Sequence, residues 1–142
     1  MGLKVQQVQF TDPEFVRCFQ IRLEVFVQEQ NVPLEEERDE YDSTALHFLA
    51  SENGAALGTA RVILKNAGAA AKIGRVAVAK VARGRGIGAA LIRHIENVVP
   101  ASEYLLDAQS HALPFYERLG YSAYGDEFME AGIPHFHMRK SV

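Results

Sequence analysis

The 142-residue chain has one cysteine, Cys18, so no disulfide can form within it and a reducing compartment is expected. No uninterrupted apolar stretch is long enough to cross a bilayer. Net charge is small, formally -3, which provides no global attraction to nucleic acid or to an anionic membrane. The opening residues, MGLKVQQ, lack the charged-then-apolar design of a secretory signal, and Gln6 stands where a myristoylation pattern requires Ser or Thr. These absences point to a cytoplasmic protein. No repeat period and no linker of biased composition divides the chain, so one domain over residues 1–142 is expected.

What is present is ordinary in bulk and uneven in detail. Hydrophobic residues make up 48% and charged residues 23%, the balance of a soluble globular protein. From Glu35 to Asp42 the sequence reads EEERDEYD: six acids against one arginine give -5, and with -3 overall the remaining residues carry +2. Such a run reads as a solvated surface or as a lip that draws in a cationic substrate such as an amine. Cys18 falls inside a helical apolar pattern and reads as a small buried core residue; a nucleophile there would need a base that nothing in the sequence assigns.

Periodicity places the elements. LKVQQVQF at 3–10 reads as a strand, with a change of phase at Gln6–Gln7 that marks a bulge. Thr11 and Glu14 form a capping-box pattern opening a helix through Gln28, with Phe15, Phe19, Leu23 and Phe26 as its buried face. Asn31–Pro33 ends that helix, and the acidic segment follows as a loop or a short second helix. Strands at 45–51 and 55–64 flank Asn53–Gly54, a tight-hairpin dipeptide. After a loop at 65–71, Lys72–Ala79 is a strand whose Val76–Ala79 stretch lacks polar side chains, as in a strand covered on both faces. Ile87, Leu91, Ile95 and Val98–Val99 line one side of a helix that Pro100 stops. Glu103–Ala108 reads as a central strand, Ser110 as the cap of a helix ending at Gly120, and Tyr121–Gly125 and His135–Lys140 as final strands around a 126–134 loop. The order predicts one mixed α/β sheet.

The chemistry concentrates at VARGRGIG, Val81–Gly88. A helix begins with N–H groups that have no intrahelical partner and with the positive end of its dipole. Gly84, Gly86 and Gly88 let the backbone approach an anion closely, and Arg83 and Arg85 add forked donors, so the segment reads as a pyrophosphate site. Gly84, Gly86 and Ala89 also match the dinucleotide fingerprint, with Asp107 near the distance of a ribose-binding acid. Against that reading, Lys80–Arg83 intervene between strand and first glycine, and hairpin strands precede.

VAVAKVARGRGIG, Val76–Gly88, resembles the pyrophosphate segment of the GCN5-related N-acetyltransferases (GNAT), Q/R-x-x-G-x-G/A, through Arg83, Gly86 and Gly88. LDAQSHALPFYERLGY, Leu106–Tyr121, resembles the family's later strand–helix unit. RLEVFVQEQNVP at Arg22–Pro33, the acids after it, and AGIPHFHM at Ala131–Met138 are similar to a subgroup of small bacterial members of unassigned substrate. The resemblance implies the GNAT fold: a mixed central sheet of six to seven strands with about four helices and a splayed parallel pair at its centre. It implies acetyl transfer from acetyl-CoA to a primary amine, on a small molecule or a lysine side chain, by direct attack and without metal; the alternative is an acetyl-CoA-binding sensor or partner module. Coenzyme contacts would come from Val76, Ala77, Val78, Arg83, Gly84, Arg85, Gly86, Ile87, Gly88 and Gln109. Tyr116 would be the general acid, its alternative role packing, with Phe115 packing only. Many relatives carry a glutamate base on the central strand where this chain has Gly74 and Arg75; Glu29, the acidic segment and His47 are the candidates left. His135 and His137 alternate on the last strand as pocket wall or structure, since a metal pair would want a third ligand. The terminal strands offer an edge for pairing between two copies.

Overall fold

In the computed structural model, which describes residues 2–142, the chain runs β1 (Lys4–Val8), α1 (Phe15–Arg22), α2 (Leu34–Glu37), β2 (Leu46–Glu52), β3 (Ala55–Lys65), β4 (Ala70–Val78), α3 (Ile87–Val98), β5 (Glu103–Gln109), α4 (Leu113–Arg118), β6 (Ser122–Glu130) and β7 (Ile133–Ser141). The strands form one sheet in the order β1-β2-β3-β4-β5-β7-β6, as the resemblance implied. Among the described residues only β4 and β5 pair in parallel, and α3 is the crossover between them. On one face, α3 buries Ile87, Leu91, Ile92 and Ile95 against Phe48, Val62, Ile73 and Leu106. On the other, α1 and the turns that continue it set Cys18, Ile21 and Val25 on Val8, Leu49 and Ala77.

The first helix departs from its expected form in three ways. No capping box forms: the Asp12 carboxylate accepts from the Glu14 N–H at 2.9 Å, and the helix proper starts at Phe15. The buried face is rotated from the predicted one to Cys18, Ile21, Arg22 and Val25, with Phe15 and Phe26 at its margins. From Leu23 to Glu29 the helix widens to π geometry, with the Gln30 N–H reaching the Val25 carbonyl at 3.2 Å. The rotation precedes the π segment: Cys18, Ile21, Arg22 and Val25 keep ordinary helical spacing, and the helix turns this stripe onto the sheet in place of its phenylalanines. Cys18 is fully buried, and that burial pushes its thiol up.

Smaller differences follow from pairing. β1 pairs with β2 residue for residue, without the predicted bulge. Asn53 and Gly54, with φ of 53° and 82°, make the expected tight turn. The 65–71 loop is shorter than predicted because Ala70 and Ala71 already pair with β5 and are buried. Ser110 does not cap α4; its hydroxyl donates to Glu127 at 2.7 Å, and the helix begins at Leu113 with Pro114 in its first turn. Its end matches prediction: the Tyr121 N–H reaches the Tyr116 carbonyl and the Gly120 N–H the Glu117 carbonyl, a Schellman motif that also stacks Tyr121 edge-on to Tyr116. The predicted 126–134 loop is instead a long hairpin, β6 to β7, turning at Ala131–Gly132.

The acidic segment differs most in character. It folds as α2 plus a 3-10 turn at Glu40–Ser43 and is only partly a solvated run: Glu35, Glu36 and Glu40 are exposed, while Glu37, Asp39 and Asp42 turn inward. Glu37 and Asp42 are 2% and 3% exposed. Arg22 Nε donates to Glu37 at 2.5 Å and Arg22 Nη1 to Asp42 at 2.8 Å; Arg61 bonds Asp42 and Asp39, and Arg75 Nε stands 2.9 Å from Glu37. Three guanidiniums face three carboxylates, so the cluster is neutral and each carboxylate it buries has a partner. Burial pushes Asp42 upward, but the bonds from Arg22 and Arg61 outweigh it and hold that carboxyl below the usual range.

Candidate active site

The site begins where the parallel pair comes apart. β4 and β5 pair through Ile73↔Leu106 and no further. At the next step β4 bulges: Ala60 of β3 lies between Thr59, opposite Ala77, and Arg61, opposite Gly74, so Arg75 and Val76 together face one residue. Arg75 takes φ 50°, a left-handed conformation costly for any residue with a Cβ; its ties to Glu37 and Asp39 hold it there. Beyond the bulge the β5-facing edge of β4 has no strand partner, and a cleft of about 940 Å³ opens between the two strands. The prediction of a strand covered on both faces fails here for that reason: Val76 and Val78 are half-open onto the cleft, and only Ala77 and Ala79 are buried.

Of the residues singled out from sequence, Val76, Ala77, Val78, Arg83, Gln109 and Tyr116 line this cleft, while Gly84, Arg85, Gly86, Ile87 and Gly88 lie past its rim. Gly84 and Gly86 have φ of 82° and 78°, and a Cβ on either would meet nothing within 4 Å. Gly86 is the N-cap of α3, and no side chain caps that helix, so its first N–H groups are left for an outside acceptor. Open space, free N–H groups and the dipole suit a pyrophosphate. Gly88 has a different structural part: a Cβ there would sit 3.1 Å from Phe115 Cζ, so the glycine admits the Phe115 ring. Ile87 is buried in the core.

Both arginines are paired. Arg83 Nε donates to the Val78 carbonyl at 3.1 Å, and its two Nη groups bond Glu29, at 2.9 Å from Nη1. That bond, the larger cause, holds Glu29 below the usual carboxylate range and makes it a weak base. Arg85 is bonded to Glu52. Gln109 exchanges hydrogen bonds with Gln30, donating at 2.8 Å and accepting at 3.4 Å, which ties the end of β5 to the π segment. The Tyr116 ring contacts Phe115 and Tyr121, its hydroxyl has no hydrogen bond among the described residues, and burial pushes it up to about 12. It therefore keeps its proton through the neutral range.

Two earlier candidates fail, one on position and one because its carboxylate is already partnered. His47 is buried with Nε2 donating to the Asp42 carbonyl at 2.8 Å, away from the cleft, and burial lowers its basicity. Asp107 does not present itself as a ribose acid: His137 Nδ1 donates to it at 2.7 Å and Lys72 Nζ lies at 3.0 Å. Sequence reading missed this triad, Gln30 and the arginine cluster, because their partners are separated by 15 to 79 positions with no local pattern joining them.

A splayed parallel pair beside an uncapped, glycine-opened helix defines an acyltransferase-type cleft. A family profile described as acetyltransferase (GNAT) domain matches residues 6–142. The chain is 38% identical over 127 residues, 87% of itself and 89% of the other, to an uncharacterized N-acetyltransferase, YjcF, of Bacillus subtilis (strain 168). A crystal structure of ElaA from Escherichia coli superposes with a TM-score of 0.85 at 27% identity, covering 99% of this chain and 100% of that one. A GNAT acetyltransferase of Elizabethkingia anophelis, solved with acetyl-CoA bound, superposes at 0.72 with 14% identity, covering 99% of this chain and 98% of that one. The chain belongs to the GNAT family and is an N-acetyltransferase. Among the described residues, no helix is long and apolar enough to cross a membrane.

Proposed function

We propose that the protein transfers acetyl from acetyl-CoA to a primary amine, on a small molecule or a lysine side chain, by direct attack in a ternary complex. The observation that carries this reading is the cleft itself: the β4 edge freed by the bulge lies beside the uncapped N-terminus of α3. The N–H groups at Gly86–Gly88 would take the pyrophosphate, with Arg83 turning from Glu29 to join them and Arg85 adding charge from the rim. The backbone of Val76–Val78 and the Gln109 amide would hold the pantetheine arm; acetyl-CoA supplies the activated acetyl group. Unpaired β4 amides can stabilise charge developing on a carbonyl oxygen in the cleft, and holding both reactants there supplies much of the acceleration. Tyr116, still protonated at neutral pH, would donate to the departing sulfur.

The test is thiol release from acetyl-CoA by purified protein across a library of alkyl amines and lysine peptides. Amine-dependent release supports the reading. Binding of acetyl-CoA without release on any amine would leave a coenzyme-binding module, and no binding would remove the reading altogether.

A further inference from the structure

Resting on that reading, we propose that His135 is the general base that deprotonates the acceptor amine. An alkyl ammonium has a pKa of about 10.4, so a proton must leave before nitrogen can attack. The groups first suspected are committed elsewhere or open to water: Glu37, Asp39 and Asp42 to three arginines and His47 to the core, while Glu29, even when Arg83 turns to the coenzyme, and Glu36 are exposed carboxylates on the cleft lining. His135 is neither. It is 7% exposed on β7, opposite Gln109 of β5, and it lines the cleft together with Tyr116.

Its tautomer is set by the fold. The Ile133 carbonyl lies 2.7 Å from Nδ1, and a carbonyl can only accept, so Nδ1 carries the proton and Nε2 keeps its lone pair in the neutral ring. No hydrogen bond reaches Nε2 among the described residues; Glu130 Oε2 stands 3.8 Å away, close enough to stabilise an imidazolium. Phe128 stacks on the ring at 5.7 Å and fixes its plane, and its other contact is His137, at 4.3 Å, which Asp107 holds. The charged and titratable groups around His135 are thus Glu130 and, through Phe128, the His137–Asp107–Lys72 chain; His111 lines the same cleft from an exposed turn. Glu130 is a positioning residue in this scheme.

The balance closes. His135 Nε2 takes one proton from the ammonium; nitrogen forms its bond to the carbonyl carbon as the C–S pair passes to sulfur, which takes the Tyr116 proton. The second nitrogen proton restores Tyr116, and His135 returns its own to solvent. Ammonium and thioester become amide, free thiol and one proton.

The experiment compares wild type with His135→Gln, and with His111→Gln as control, using an alkyl amine and a weakly basic amine already neutral at pH 7. His135→Gln should lose about 10²-fold in kcat/KM on the alkyl amine, far less on the weakly basic one, and keep acetyl-CoA affinity. A purely structural role would depress both amines alike. Nitrogen-15 spectra of the free protein should show the Nδ1-protonated tautomer of His135. Equal losses on both amines, an unchanged alkyl-amine rate, or the opposite tautomer overturns the assignment while leaving the acetyltransferase reading in place. A wild type that acetylates no amine overturns both. If His135→Gln does not fold, Glu130→Gln, on an exposed side chain, should give a smaller loss with the same amine selectivity, and no selectivity overturns the assignment.

Discussion

Replacing Arg22 by Met should cost about 3 kcal/mol of stability. The side chain is 1% exposed and makes four hydrogen bonds: to Glu37 Oε1, to both oxygens of Asp42, and to the Glu37 carbonyl. Methionine has similar volume, so cavity formation is small and the loss is electrostatic. Removing one member of a buried ion cluster costs roughly 3–5 kcal/mol; the lower end applies because Arg61 still bonds Asp42 and Arg75 still flanks Glu37. With a urea slope of about 2 kcal/mol/M, the midpoint falls by about 1.5 M. The pH dependence is signed. Asp42 has a folded pKa below its unfolded value, so its contribution is present above the unfolded value and disappears as pH falls through the folded one. The gap between wild type and variant should therefore be full at pH 7 and narrow below about pH 4. Adding Asp42→Asn and Glu37→Gln to the variant should restore part of the loss, since the stranded charges go. Urea melts of the three proteins read all of this. A gap under about 1 kcal/mol at pH 7, or no recovery in the triple variant, would refute the claim that the acidic segment is a buried counter-ion set.

Gly86→Val should weaken acetyl-CoA binding by at least tenfold in calorimetry while the fold survives: no atom blocks the new Cβ, but φ of 78° costs about 1–2 kcal/mol and the side chain covers the α3 amides. Unchanged affinity would end the pyrophosphate assignment. Tyr116→Phe should lower kcat by about 10²-fold with coenzyme affinity kept, and wild-type activity should show no Tyr116-dependent alkaline fall until pH approaches 12. Glu29→Gln should tighten coenzyme binding, most at low salt, because Arg83 no longer has to leave a carboxylate; weaker binding would mean that Glu29 itself contacts the ligand.

Chain-local physics decided much of this protein. Alternating and helical apolar spacing located β2, β3, β5 and α3 to within a few residues, Asn53–Gly54 marked its hairpin, and the Gly120 cap was legible because each depends on residues a few positions apart. So was the glycine-opened, uncapped start of α3, where Gly84 and Gly86 adopt positive φ within one short segment. Tertiary structure alone decided the charge economy and the proton chemistry. Whether EEERDEYD faces water or three arginines depends on Arg22, Arg61 and Arg75 arriving from α1, β3 and β4. Whether a histidine is a base depends on which carbonyl meets Nδ1 and which wall Nε2 faces, and that distinguishes His135 from His47 although both sit on strands. Sequence spacing carries backbone geometry; long-range contacts carry electrostatics, because a charge is defined by what is folded against it.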